Sequence, residues 1–154
     1  MSRKVESPGV VAWELLLRVH AALVPELDRL VGEVCGVPLS WYDVLLELNR
    51  APDRRLRMTE LGERVVLSRS RVSRIVDAME SEGLVRREPD PEDRRATLAL
   101  LTVHGRETLR QAAPGYLSGI ERMFSSRLTL EEIEVISRAL ASVLEPESTA
   151  GPEG

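Results

Sequence analysis

Residues 59–85 read TELGERVVLSRSRVSRIVDAMESEGLV, and this stretch decides the fold. A short helix starting at Thr59 is followed by a tight turn and by a second helix that ends at Gly83. The apolar residues of the second helix recur at the spacing of one helix face, at Val72, Ile75, Val76 and Met79. Two short helices joined by a turn of three or four residues predict a helix-turn-helix.

The residues that follow predict a β-hairpin. LVRRE (84–88) and ATLALLT (96–102) are short strand-like runs, and they flank the proline- and charge-rich loop PDPEDRR (89–95). LRM (56–58) could supply a third, small strand. A helix-turn-helix followed by a hairpin is a winged helix, which we place at residues 40–102.

The N-terminal segment 10–36 has helical apolar spacing, with a kink expected at Pro25 and a stop at Gly36. We expect residues 1–9 to be flexible. A second helix, Trp41 to Arg50, would begin with a capping box formed by its N-cap residue and its N3 residue, which are Ser40 and Asp43.

The C-terminal part predicts two more helices. Residues 103–127 form a long helix that we expect to be interrupted near Pro114 and Gly115. Thr129 and Glu132 form a capping box that opens a helix ending near Leu144. The polar tail 145–154 is expected to be disordered. The fold class is therefore mainly α with a small β-hairpin wing.

This order of elements resembles the MarR family of bacterial transcription regulators. The resemblance covers residues 10–144, and DPEDRRATLALLTVHG (90–105) is its most specific motif. It implies that helices 10–36 and 103–144 interlock two chains into a homodimer. Such a dimer would present two recognition helices to neighbouring major grooves of a pseudo-palindromic DNA operator, and we expect a repressor.

The resemblance and the arginine content together predict the DNA contacts. On the recognition helix, arginine can bind guanine and serine can bind a base edge or a phosphate. The resemblance implies that Arg95 enters the minor groove, with Asp93 orienting its guanidinium. A solvated helix face and a salt bridge that closes the hairpin are the alternatives. The predicted set is Arg69, Ser70, Arg71, Ser73, Arg74, Asp93, Arg94 and Arg95.

A small-molecule effector, aromatic or anionic, is also expected where the dimer helices meet the DNA-reading lobe. The candidate residues are Trp13, His20, Trp41, Tyr42, Asp43, Arg74 and Arg86. Three of them, Asp43, Arg74 and Arg86, match positions of the urate-responsive branch of the family. That branch carries its tryptophan on an extra helix ahead of this one, whereas Trp13 lies inside the first predicted helix and cannot simply replace it.

Composition supports a globular protein that meets an anion with its central part. The chain has 154 residues, 43% of them hydrophobic, and a formal net charge of -4. Residues 50–95 nevertheless hold 12 arginines against 10 acidic residues. This local positive charge suggests an anionic partner. The lack of a secretory signal or long apolar run predicts a cytoplasmic protein that does not bind membranes.

Other function classes find little support in the sequence. There is no glycine-rich phosphate loop, nucleophile elbow or metal-ligand spacing, so we expect no catalytic residue, metal or cofactor. Cys35 lies at a helix C-terminus, where a thiolate is disfavoured, which argues against redox sensing. A winged-helix module that binds only proteins is the main alternative, and an enzyme is a weaker one.

Overall fold

The structure, a computed structural model, describes residues 7–65 and 67–145. Most of the N-terminus that is predicted to be flexible (1–6) and most of the tail that is predicted to be disordered (146–154) lie outside the described residues. The described chain contains helices α1 to α6 and strands β1 to β3. In chain order they are α1 Pro8–Cys35, α2 Leu39–Arg50, β1 Arg55–Arg57, α3 Met58–Arg64, α4 Arg69–Ser81, β2 Val85–Pro89, β3 Thr97–Leu101, α5 Val103–Met123 and α6 Leu130–Leu144.

Helix α1 begins earlier than predicted. It starts at Pro8, so residues 8 and 9 are helical rather than flexible. Proline is favoured at the first position of a helix because the N–H it lacks has no partner there. The predicted stop is confirmed: Gly36 has a φ of 72° and donates its N–H to the carbonyl of Gly32 at 2.8 Å.

The predicted capping box of α2 is wrong. The helix begins at Leu39, and neither Ser40 nor Asp43 caps it. The N–H of Leu39 donates instead to Oδ1 of Asp28 on α1, at 2.7 Å. A carboxylate at this end is favoured by the helix dipole. A tertiary contact between two helices has therefore replaced the local cap.

The three strands form an antiparallel sheet in the order β1-β3-β2, which confirms the hairpin and the third strand. In its register Leu56 of β1 and Arg87 of β2 both stand opposite Ala99 of β3. The apolar face of the sheet and the helices around it share one core. Its fully buried side chains include Val44, Leu45, Leu48, Leu61, Val72, Val76, Met79 and Val85.

The junction between β3 and α5 is tightly packed. The hydroxyl of Thr102 lies 2.7 Å from the carbonyl oxygen of Gly83 and 2.9 Å from that of Leu84. The same hydroxyl accepts the N–H of Gly105 at 2.9 Å. A Cβ at Gly105 would lie only 2.1 Å from the carbonyl oxygen of Leu84. The first turn of α5 therefore sits against the start of the wing, where only glycine fits.

The predicted interruption of α5 is wrong, because the helix runs without a break through Pro114. A proline inside a helix costs about 3 kcal/mol. Packing of the turns before the proline opposes this cost, since Leu109 and Ala112 are buried in the core. A Cβ at Gly115 would lie 3.2 Å from Val34 of α1, so these two helices also approach closely.

The chain divides into two compact units, residues up to Gly119 and residues from Ile120. In the second unit, α6 opens with the predicted capping box. The Thr129 N–H donates to Oε2 of Glu132 at 2.8 Å, and the Glu132 N–H donates to Oγ1 of Thr129 at 3.2 Å. None of the residues of α6 is buried.

Candidate nucleic-acid interface

Helix α4 is the second helix of the helix-turn-helix, and its two faces differ as predicted. Val72, Val76 and Met79 are buried and attach the helix to the core. Ser68 caps its N-terminus by accepting the N–H of Arg71 at 3.4 Å, a long hydrogen bond. The predicted contact residues lie on the other side, where Ser73 is half-buried and the rest are exposed. These exposed residues are Arg69, Ser70, Arg71 and Arg74.

The arginines of residues 50–95 fall into two groups. Six of them form ion pairs with carboxylates, and these are Arg50, Arg55, Arg57, Arg64, Arg86 and Arg87. Among the described residues no carboxylate pairs with the other six, which are Arg54, Arg69, Arg71, Arg74, Arg94 and Arg95. Five of these six unpaired arginines are predicted DNA contacts. Their charges remain available to an anion.

The wing is held at its base by Asp90, which the sequence analysis missed. Its side chain is buried and accepts the Glu92 N–H at 2.9 Å and Nε of Arg57 at 2.6 Å. The pKa of this carboxyl is lowered mainly by the hydrogen bond from the Glu92 N–H and then by Arg57, while burial opposes both effects. The Asp90 N–H also donates to the Ala96 carbonyl at 3.0 Å, which closes the loop.

Asp93 acts differently from the prediction. Its Oδ1 accepts the backbone N–H of Arg95 at 3.0 Å, and its carbonyl accepts the N–H of Ala96 at 2.9 Å. The carboxylate therefore shapes the loop backbone instead of holding the Arg95 guanidinium. Arg94 and Arg95 are both exposed on this loop. A side chain such as asparagine, which also accepts hydrogen bonds, could preserve this turn.

A cleft of about 340 Å³ separates α4 from the wing. Its walls carry Arg69 and Ser73 from α4 and Arg95 from the wing loop. Arg87 of β2 lies between them, half-buried, and contacts α4. The sequence analysis missed Arg87, because nothing in the pair Arg86-Arg87 says which one turns towards α4. Strand alternation places them on opposite faces and leaves the choice to register.

The predicted effector residues do not form one site. Trp41 and Arg74 line a groove of about 400 Å³ together with Arg71 and Ile75. The other candidates are placed elsewhere: Trp13 and His20 are exposed on α1, and Arg86 pairs with Glu88 at 3.0 Å. Among the described residues, Trp41 and Arg74 are thus the two candidates that the structure brings together in this groove.

Asp43 lies in a different environment, beside two tyrosines. Its carboxyl is half-buried, and burial followed by the charge of Glu47 raises its pKa. The rings of Tyr42 and Tyr116 stand 4.5 Å apart between centroids, and burial is the first cause that raises the pKa of each phenol. Asp43 adds to both shifts. The sequence analysis missed Tyr116, which only the packing of α5 on α2 brings here.

Three further observations bear on the function classes. Cys35 is half-buried and donates its thiol to the Val31 carbonyl at 3.2 Å. Within residues 7–65 and 67–145, no group of three or more potential ligands is placed to hold a metal ion. In the same part of the chain, no helix is both long and apolar enough to cross a bilayer.

Comparison with known proteins gives a consistent result. A family model described as MarR family matches residues 36–96. The transcriptional repressor YetL of Bacillus subtilis is 29% identical over 110 residues, which are 71% of this chain. This chain spans 65% of the length of that repressor.

Two solved structures from Streptomyces coelicolor cover nearly the whole chain. AbsC, a MarR family regulator, is 32% identical with a TM-score of 0.82, over 92% of this chain and 95% of that one. Sco3205, solved in complex with DNA, is 35% identical, also with a TM-score of 0.82, over 97% of this chain and 96% of that one. By these likenesses and by its winged helix-turn-helix, the chain belongs to the MarR family of transcriptional regulators.

Proposed function

We propose that the chain is a homodimeric repressor that binds a pseudo-palindromic DNA operator through α4 and the wing. We also propose that a small aromatic or anionic ligand modulates this binding. The observation that carries the proposal is the set of unpaired arginines. Within the described part of the chain, no carboxylate pairs with the predicted arginine contacts on α4 and in the wing loop, although the neighbouring Arg57, Arg86 and Arg87 are paired.

This arrangement suits duplex DNA. Neutralising phosphates releases condensed counterions, so unpaired guanidinium groups give affinity that falls steeply with salt. Arg69, Ser70 and Arg74 are exposed on the helix that would lie in the major groove, and arginine there can bind guanine bidentately. Arg95 projects from the wing loop, as a minor-groove contact requires. The related Sco3205 was solved in complex with DNA, which supports the same partner.

The direct test is fluorescence anisotropy with duplexes tiled across the DNA that flanks the coding sequence. We expect specific binding that weakens by several orders of magnitude between about 50 and 200 mM salt. Arg95→Ala should lower the affinity on the order of tenfold with little change in melting temperature. Arg110→Ala is the matched control, since it removes an exposed arginine of α5 that pairs with Glu107. Equal affinities of all three proteins across the salt series would contradict the assignment of Arg95.

Repression is supported by the relatives that carry this activity in their names, such as YetL. A repressor prevents transcription by occupying the promoter region. A reporter gene behind the bound DNA should therefore be expressed less when the protein is present, and Arg95→Ala should restore its expression. Increased expression with the wild-type protein would identify an activator instead.

The homodimer is supported by apolar side chains that the chain leaves uncovered. Of the 28 residues of α1, only Val31 is buried. Large apolar side chains are exposed along this helix at Val10, Val11, Trp13, Leu15, Leu16, Leu17, Val19 and Val34. In the second unit, considered separately, α6 exposes Leu130, Val135, Leu140, Val143 and Leu144. Apolar patches of this kind are expected to be buried against a partner, here a second copy.

Light scattering after size exclusion measures the assembly. We expect twice the chain mass of 17.2 kDa for the wild type. Leu16→Glu places a charge in the exposed apolar face of α1 and should shift the protein towards monomer. Asn49→Glu adds the same charge at an exposed polar position of α2, outside the predicted dimerisation helices, and should leave the mass unchanged. A wild-type monomer at micromolar concentration would contradict the homodimer.

The groove between Trp41 and Arg74 is the best candidate for the effector. An aromatic anion could stack on the indole of Trp41 while its charge meets Arg71 and Arg74. Since Arg74 is also a proposed DNA contact, such a ligand would compete with DNA. Urate and salicylate-like phenols, added to the anisotropy assay, should release DNA from the wild type and less so from Trp41→Leu. If no compound of the panel changes DNA affinity, the effector assignment is wrong.

A further inference from the structure

We propose that Arg87 is a positioning residue for DNA recognition, which holds the wing on the recognition helix so that Arg95 and α4 engage one duplex together. The inference rests on the proposed DNA binding. It concerns a residue that would not touch DNA itself. Its guanidinium joins two elements that carry the predicted DNA contacts but are otherwise connected through the turn at Gly83 and through the core.

The contacts of Arg87 with α4 come from both its side chain and its backbone. Nη2 donates to the Ser73 carbonyl at 3.0 Å, and Nη1 pairs with Asp77 and, at 3.2 Å, with Glu80. The Arg87 backbone N–H donates to Oε1 of Glu80 at 2.9 Å. These bonds span nearly two turns of α4, so they fix the direction of the strand relative to the helix as well as its distance.

The position of β2 in the sheet explains why this link matters. The strand order β1-β3-β2 leaves β2 bonded to β3 on one side only. Its other edge faces α4, where the Glu80 carboxylate accepts the Arg87 N–H in place of a neighbouring strand. The wing would therefore move relative to α4 more easily without Arg87, and Arg95 on the wing loop would move with it.

Charge gives Arg87 a second effect on the same surface. Asp77 and Glu80 carry two negative charges on the helix that would lie in the major groove, and their side chains are 61% and 41% exposed. The Arg87 guanidinium lies against both carboxylates and is itself 22% exposed. It thus reduces the repulsion between these carboxylates and phosphates.

The neighbouring Arg86 provides a matched control. It lies on the same strand, carries the same charge and pairs with a carboxylate, Glu88, at 3.0 Å. This pair lies within β2 and does not link the strand to α4. Removing Arg86 therefore changes the net charge as removing Arg87 does, and leaves the contact between the wing and the helix intact.

A double-mutant cycle on the full-length protein tests the proposal. DNA affinity is measured for Arg95→Ala in three backgrounds: wild type, Arg87→Met and Arg86→Met. If Arg87 positions the wing, Arg95→Ala should lower DNA affinity on the order of tenfold in the wild type and in Arg86→Met. In Arg87→Met it should lower DNA affinity by about threefold or less. An equal loss in all three backgrounds would overturn the proposal, because a residue acting through charge or overall stability would not couple to Arg95.

Two further measurements keep the test decisive. If Arg87→Met does not fold, Arg87→Lys keeps the charge with fewer donors and should still reduce the cost of Arg95→Ala. Hydrogen exchange on the free protein should be several-fold faster in residues 85–89 of Arg87→Met and unchanged in those of Arg86→Met. If hydrogen exchange in residues 85–89 were unchanged in Arg87→Met, Arg87 would not hold the wing on α4, even if the variant bound DNA differently from the wild type. If exchange accelerates but the wild type binds no DNA, the proposed function fails and with it the role in recognition.

Discussion

The close approach of α5 to the backbone of Leu84 at Gly105 allows the sharpest stability prediction. In Gly105→Ala the new Cβ would lie 2.1 Å from the carbonyl oxygen of Leu84 and 2.8 Å from a methyl group of Leu101. Ordinary contact begins at 3.4 Å, so α5 and the start of β2 would have to separate by more than 1 Å. The carbonyl cannot easily retreat, because it also accepts the Thr102 N–H at 3.2 Å.

The magnitude follows from two opposing effects. Overpacking typically costs about 1–3 kcal/mol and occasionally more, and the overlap here is with backbone. Alanine in a helix gains up to about 1 kcal/mol over glycine. Because the overlap is with backbone, we take the upper end of the cost and expect Gly105→Ala to lower the free energy of unfolding by about 2 kcal/mol, which in a chain of this length corresponds to roughly 4–8 °C in melting temperature.

Thermal and urea unfolding followed by circular dichroism, at one protein concentration, measure this effect. Gly32→Ala is the matched control, because Gly32 is also helical and its Cβ would come no nearer than 3.9 Å to the Val37 carbonyl oxygen. The free energy of unfolding of Gly32→Ala should rise by about 0.5–1 kcal/mol, because alanine has a higher helix propensity than glycine. If Gly105→Ala were as stable as Gly32→Ala, the close approach of α5 to Leu84 would not exist in solution.

Three smaller predictions concern single residues. Because the pKa of Asp43 is raised in the folded chain, its contribution to stability is complete below the unfolded-state pKa of about 3.9 and is lost as the pH rises through the folded-state value. Asp43→Asn should therefore be more stable than the wild type near neutral pH, and thermal unfolding should show this difference in stability shrinking towards about pH 4. A difference that did not change with pH would contradict its assignment to the raised pKa of Asp43. Thr129→Ala removes the capping box of α6 and should cost about 0.5–2 kcal/mol, seen as faster hydrogen exchange in the first turn, whereas Thr129→Ser should not. Arg54 has a left-handed φ of 54°, so Arg54→Gly should raise stability by up to about 1 kcal/mol, whereas the same change at Arg55, where φ is −140°, should lower it.

Much of the fold could be predicted because its signals are local. The apolar stripe of α4, the capping box at Thr129 and the stop at Gly36 each depend on residues within a turn or two, and all three are confirmed. The family is confirmed as well, and since its members are transcriptional regulators, the expectation that the chain is not an enzyme agrees with it.

The errors arose where a distant residue decided the outcome. Asp28 replaced the expected cap of α2, and the core around Leu109 and Ala112 carries α5 through Pro114. In both cases local propensity was outweighed by contacts between helices. The predicted effector residues lie in different parts of the structure for a similar reason, because the position of a residue on a helix does not show which cavity its side chain lines.

The sequence by itself predicted which residues would bind DNA, from periodicity and arginine content on α4 and from the family resemblance in the wing. Only the tertiary structure decided which arginines remain unpaired. Arg86 and Arg87 are adjacent and chemically identical, yet strand register turns Arg87 onto α4 and leaves Arg86 on its own strand. The physical reason is that the interaction between two charges depends on the distance between them, and the packing of the helices and strands sets that distance.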